Sequence, residues 1–167
     1  YTQAYTLSLH DALPISETDL SVRVNRAKTS GAKVLMTIPF GVRDGYTLVG
    51  EMDNRLMYEQ TLHQVPMMGG YLSRVDQEVF DFYQQDSVSH ALLTLLQYPD
   101  SVMLPVQGRQ FFDTFHPDLL YIRPSHEEHP ATLWFKAYCA HQDVELIPIG
   151  ENYYRMQTKN PGPRPRD

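Results

Sequence analysis

Arg43 and Asp44 sit in the glycine-bracketed stretch Gly41-Val42-Arg43-Asp44-Gly45, directly after the apolar run Lys33 to Phe40. In open α/β sheets ligands bind at the carboxyl ends of the strands, so a guanidinium and a carboxylate delivered there could hold a polar ligand. The same two side chains could instead pair with each other or cap the following helix. His63 and Ser73 are a second pair with chemical potential. An imidazole beside a hydroxyl, or beside Asp44, could act as base to a nucleophile. No third orienting group stands at a telling spacing, and Ser73 reads equally as a polar loop residue. With Arg74, which follows Ser73, the residues expected to line a ligand groove are Arg43, Asp44, His63, Ser73 and Arg74.

His126-Glu127-Glu128-His129 has the residue types of a zinc site but not the spacing. A metalloprotease helix needs its histidines four apart to share one face, and these are three apart, ahead of Pro130 in a polar loop. The chain has no G-x-S-x-G elbow, no P-loop and no G-x-G-x-x-G opening a helix. Neither a metal nor a cofactor is therefore expected.

Lys33 to Phe40 reads as a central strand buried on both faces, running into the Gly41–Gly45 loop. Asp53 or Asn54 can cap a helix that reaches about His63. Gly69-Gly70 followed by Tyr71 to Val75 reads as a tight backbone passage at a short strand. From Asp76 the apolar spacing is helical, with a break at Gln85-Asp86-Ser87 where Asp86 or Ser87 can cap a second helix. Val102 to Val106 is a weak strand or a loop, and Gly108 to Phe115 a short helix. Leu119 to Ile122 reads as a second buried strand closed by Pro124. Ala131 to Gln142 is helical, with Trp134, Ala137, Tyr138 and His141 on one face. Val144 to Ile149 and Tyr153 to Met156 predict an antiparallel hairpin at an edge, turning at Gly150-Glu151-Asn152. The order predicts a layered α/β domain with a largely parallel sheet flanked by helices, ending in that hairpin.

The chain carries 14 Lys and Arg against 20 Asp and Glu, a net charge of −6. Phosphate neutralisation needs clustered positive charge, so no nucleic-acid partner is expected. One cysteine, Cys139, permits no intrachain disulfide, and its place in a helical pattern predicts buried filler. No apolar run approaches the ~20 residues of a membrane span, so this stretch reads as soluble. Eleven tyrosines supply either core or surfaces on which sugars stack.

Tyr5 to Ile15 resembles, residue for residue, one reading frame of a short-read sequencing adapter. On that resemblance residues 1–16 are expected to be non-native, His10 and Asp11 to carry no chemistry, and the parent protein to extend upstream. Residues 17–158 then form a single domain, and 159–167 a Pro-rich polar tail expected to be disordered.

Ile38-Pro39-Phe40-Gly41-Val42-Arg43-Asp44-Gly45, Tyr58-Glu59-Gln60-Thr61-Leu62-His63-Gln64, then Pro66 and Gly69-Gly70-Tyr71-Leu72-Ser73-Arg74, with Tyr154-Arg155 near the end, carry a family resemblance. Together they resemble the C-terminal extracytoplasmic region of bacterial polytopic membrane glycosyltransferase-like proteins of the GT-C, mannosyltransferase-like class. The resemblance implies an accessory domain on the extracytoplasmic side of the bacterial inner membrane, attached to a membrane-embedded transferase. It would help position a glycan or acceptor, such as a lipid-linked sugar, without a complete active site of its own. The class keeps its catalytic acids in loops of the membrane part, so none is carried over to a residue here, and no obligate partner is implied. Met67-Met68 depart from the more regular aliphatic residues of the pattern. The competing expectation is a free-standing hydrolase or transferase using His63 with Ser73 or Asp44.

Overall fold

The computed structural model describes residues 17–43, 46–71 and 76–159. Asp44, Ser73, Arg74, residues 1–16 and the tail beyond Lys159 lie outside the described residues.

Two short runs with no polar interruption beyond Thr37 and the Tyr121 hydroxyl make the centre of the domain: β1 (Leu35–Ile38) and β5 (Leu119–Ile122), buried at every position. They pair in parallel, Leu35 opposite Leu119 through Ile38 opposite Ile122. Because side chains alternate across a strand, each run feeds two apolar clusters. Met36, Ile38, Leu120 and Ile122 enter the larger one, with Leu92 of α4 (Ser87–Gln97), Phe111 of α5 (Gln110–Phe115) and Phe135 of α6 (Pro130–His141). Leu35, Leu119 and Tyr121 enter the other, with Ala27 of α1 (Glu17–Thr29) and Leu56 of α2 (Asn54–His63). The Asp118 carboxylate accepts from the Lys33 and Val34 amides at 2.9–3.1 Å, holding the start of β1 to that of β5.

The sheet is mixed rather than largely parallel. Its order is β1-β5-β7-β6, where β6 is Val144–Gly150 and β7 Tyr153–Thr158. Within this sheet only the β1–β5 pair is parallel, since the closing hairpin folds back and lays β7 antiparallel against β5. The hairpin and its edge position match the sequence reading, with Asn152 at a φ of 62° in the turn. A second difference concerns β1, read as central. It lies at the end of that order, although Leu35 is bridged on its far side: its amide donates to Pro66 O at 2.8 Å and its carbonyl accepts from Met68 N at 2.9 Å.

The stretch read as a Gly41–Gly45 loop begins as a strand, β2 (Gly41–Arg43), in a small sheet of order β3-β2-β4 with β3 (Leu48–Gly50) and β4 (Gly70–Tyr71). Glycine makes this possible. A Cβ on Gly41 would stand 2.8 Å from Glu51 O and 2.9 Å from Val49 O, too close for any side chain. A Cβ on Gly69, at a φ of 75°, would stand 2.3 Å from the Gly41 carbonyl oxygen, so the Gly-Gly passage is where the two strands meet.

Helix ends follow local chemistry. Asp53 accepts from Arg55 N at 2.9 Å and starts α2; Asp86 accepts from Ser89 N at 2.8 Å and starts α4, separating it from α3 (Gln77–Gln85). α6 opens with Pro130 at its first turn, where a missing N–H costs nothing. Val102 to Val106 is without regular structure. α1 has no counterpart among the elements expected from sequence, because its largely exposed, mostly polar surface gives little periodicity; among its described side chains Ala27 is buried in the core. Among the described residues no helix is long and apolar enough to cross a membrane.

Candidate functional site

The two recognisable strings do meet. β2 and β4 run parallel, with Val42 opposite Gly70 and Arg43 opposite Tyr71. Arg43 is exposed at the end of β2. His63 behaves differently. It is the last residue of α2, 5% exposed, and its Nδ1 accepts from Val65 N at 2.9 Å, closing the turn that leaves the helix. Burial lowers its pKa and so favours the neutral ring. In that tautomer the other nitrogen carries the proton, so no lone pair is left for base chemistry.

The carboxyl ends of the parallel pair carry other residues. Beyond β5 stands Arg123, and beside it opens a cleft of about 290 Å³ bounded by Arg23, Asp53, Arg55, Glu59, Tyr121 and Ser125. Glu59 points inward because it shares the apolar face of α2 with Leu56 and His63, at i, i+3 and i+7. It is 1% exposed, and Arg23 reaches from α1 to within 2.5 Å of its Oε1. Burial raises the Glu59 pKa, with Arg23 opposing the shift. Its Oε2, and Nε of Arg23, have no hydrogen-bond partner among the described residues. Next to them the Tyr121 and Tyr153 rings lie 4.8 Å apart, and burial raises the pKa of both hydroxyls.

A chain of polar contacts forms the rim. Arg123 stands 3.6 Å from Asp53 and 3.8 Å from Glu51. These are attractive but longer than hydrogen bonds, so the guanidinium retains donors for a ligand. Glu51 Oε2 lies 3.0 Å from Nε2 of the buried His126, whose Nδ1 lies 3.1 Å from Ser125 Oγ. The tautomer that serves both contacts has its proton on Nε2, donating to Glu51, and a lone pair on Nδ1 facing the serine. His129, 5.2 Å from His126 between ring centres, accepts from Ala131 N and caps α6. Burial, and then His126, lower the pKa of His129. The two histidines of the His-Glu-Glu-His run are thus engaged with a carboxylate and a helix end.

On α6, the face carrying Trp134, Ala137, Tyr138 and His141 lines a second, apolar groove of about 360 Å³ with Met103, Pro105 and Val106. The Trp134 and Tyr138 rings are parallel within 4°, and Tyr138 stacks in turn on Phe112.

Sequence reasoning did not single out Arg23, Glu51, Glu59, Tyr121, Arg123 or the Ser125–His126 pair. Two signals were present: a carboxylate at core spacing within a helix, and an arginine as the first residue past a buried strand. No family model, curated protein or solved structure matches the chain.

Proposed function

We propose that this chain is a layered α/β domain appended on the extracytoplasmic side to a membrane-embedded glycosyltransferase-like protein, where it holds a glycan or acceptor for the transferase. The observation that carries the reading is the cleft of about 290 Å³ lined by two guanidinium–carboxylate pairs, Arg23 with Glu59 and Arg123 with Asp53. Sugar hydroxyls both donate and accept, and such a mixed rim satisfies them; a phosphate-rich ligand would meet the carboxylates unfavourably. The resemblance of the Pro-Phe-Gly, Arg-Asp-Gly and Gly-Gly-Tyr-x-Ser-Arg strings supplies the membrane-bound parent. In this reading Arg43, exposed at the end of β2, contacts the acceptor, Asp44, Ser73 and Arg74 are the further residues assigned to ligand binding, and His63 closes the turn that leaves α2. The engagement of Nδ1 at His63 weighs against a hydrolase that relies on that residue.

Titration calorimetry with oligosaccharides tests the cleft. Binding should weaken about tenfold in Arg123→Ala, the loss of roughly one charge-assisted hydrogen bond. In the parent protein, Arg43→Ala with Arg74→Ala should lower transfer; unchanged transfer together with unchanged glycan binding would remove the proposal.

A further inference from the structure

Ser125, His126 and Glu51 come together across a separation of 75 residues, and their order is that of a nucleophile, a base and an orienting carboxylate. Ser125 Oγ to His126 Nδ1 is 3.1 Å and His126 Nε2 to Glu51 Oε2 is 3.0 Å, both within the range such a relay requires. Ser125 is exposed on the cleft, His126 is buried at 8% exposure, and the Glu51 side chain, 40% exposed, holds the imidazole from its other nitrogen. Pro124 fixes the backbone before the serine and opens the 3-10 turn Pro124–His126, so the hydroxyl and imidazole are held on one rigid turn. Arg123 precedes that turn with its guanidinium beyond hydrogen-bond distance of Glu51 and Asp53, and it lines the same cleft as Ser125.

We infer that Ser125 is the nucleophile of a carboxylic-ester hydrolase centre in this cleft, acting on an O-acyl group of a hydroxyl-rich molecule. It shares the cleft of the function proposed above but does not depend on the parent being a transferase. Ser125 Oγ attacks the ester carbonyl carbon as its proton passes to His126 Nδ1. The carbonyl electron pair moves to oxygen, and Arg123 donates to that developing oxyanion. Collapse breaks the carbon–oxygen bond, and the leaving alcohol takes the proton from Nδ1, giving an acyl-serine. Water, deprotonated by the same nitrogen, then attacks the acyl carbon and releases the carboxylic acid with Ser125 restored. Glu51 is a positioning residue: it fixes the tautomer and steadies the imidazolium that forms in each half-reaction.

The test uses the full chain, p-nitrophenyl acetate as substrate and a fluorophosphonate as covalent probe. The chain should turn over the ester and take up one probe at Ser125, located by peptide mass mapping. Ser125→Ala alters an exposed side chain, leaves the fold intact, and should abolish labelling and lower kcat/KM by roughly 10³-fold. Glu51→Gln should lower kcat about 10- to 100-fold with KM within about twofold, a split that a loosened fold would not produce. Turnover in Ser125→Ala equal to that of the unaltered chain, or probe on another residue, overturns the inference. Oligosaccharide affinity measured on the same samples is a separate readout: its loss with hydrolysis intact sinks the glycan reading alone, and the reverse result sinks the hydrolase alone.

Discussion

Arg23 Nη2 and Glu59 Oε1 lie 2.5 Å apart, joining α1 to α2 beneath the cleft, with the carboxylate 1% exposed and the guanidinium side chain 25% exposed. Removing the arginine strands a buried charge, whereas removing the charge of its partner does not. Arg23→Ala should therefore cost about 2–3 kcal/mol, somewhat less than the loss of a wholly buried pair because Arg23 touches solvent. The double variant Arg23→Ala with Glu59→Gln should recover much of that. Urea unfolding of the three chains measures it, and an Arg23→Ala chain as stable as the unaltered one contradicts the pairing.

The same carboxylate sets a pH dependence. Because burial raises its folded pKa, the stability it contributes is fully present below the ordinary glutamate value of about 4.3 and is lost as pH rises through the raised value. Glu59→Gln should remove that decline. Unfolding free energy followed across mildly acidic pH gives the comparison; identical slopes in the two chains would count against it.

His63 acts in the opposite sense. Its folded pKa is lowered, so its contribution is present above the ordinary histidine value of about 6.5 and is lost as pH falls through the lowered one. His129 adds a loss of the same sign. His63→Asn places an amide oxygen near Nδ1, where it can still accept from Val65 N, and cannot be protonated. Thermal melts between neutral and mildly acidic pH should show a flatter profile for this variant, and a chain that keeps the full acid loss would refute the assignment.

Cys139 is buried on α6, and burial pushes its thiol up to about 12. The thiolate is the reactive form, so the folded chain should resist a thiol-specific disulfide reagent that labels it fully in denaturant. As the chain has a single cysteine, the colour change counts one site. Rapid stoichiometric labelling under native conditions would show that α6 does not pack as described.

The features legible in the sequence are those settled within a few residues of the chain. Leu35 to Ile38 and Leu119 to Ile122 announce buried strands by composition, and Asp53 and Asp86 start helices through amides two or three residues away. The turn between Gly150 and Tyr153 closes neighbouring strands. Sheet direction was not settled locally, because either orientation of β7 against β5 uses the same apolar residues. Nor was the cleft: Glu59 meets Arg23 across 36 residues and His126 meets Glu51 across 75, so only the packing of α1, α2 and the β5 end decides which polar groups are desolvated together. A charge or an imidazole gains its chemistry from its neighbours in space, and at these separations the neighbours are chosen by the burial of the apolar faces rather than by spacing along the chain.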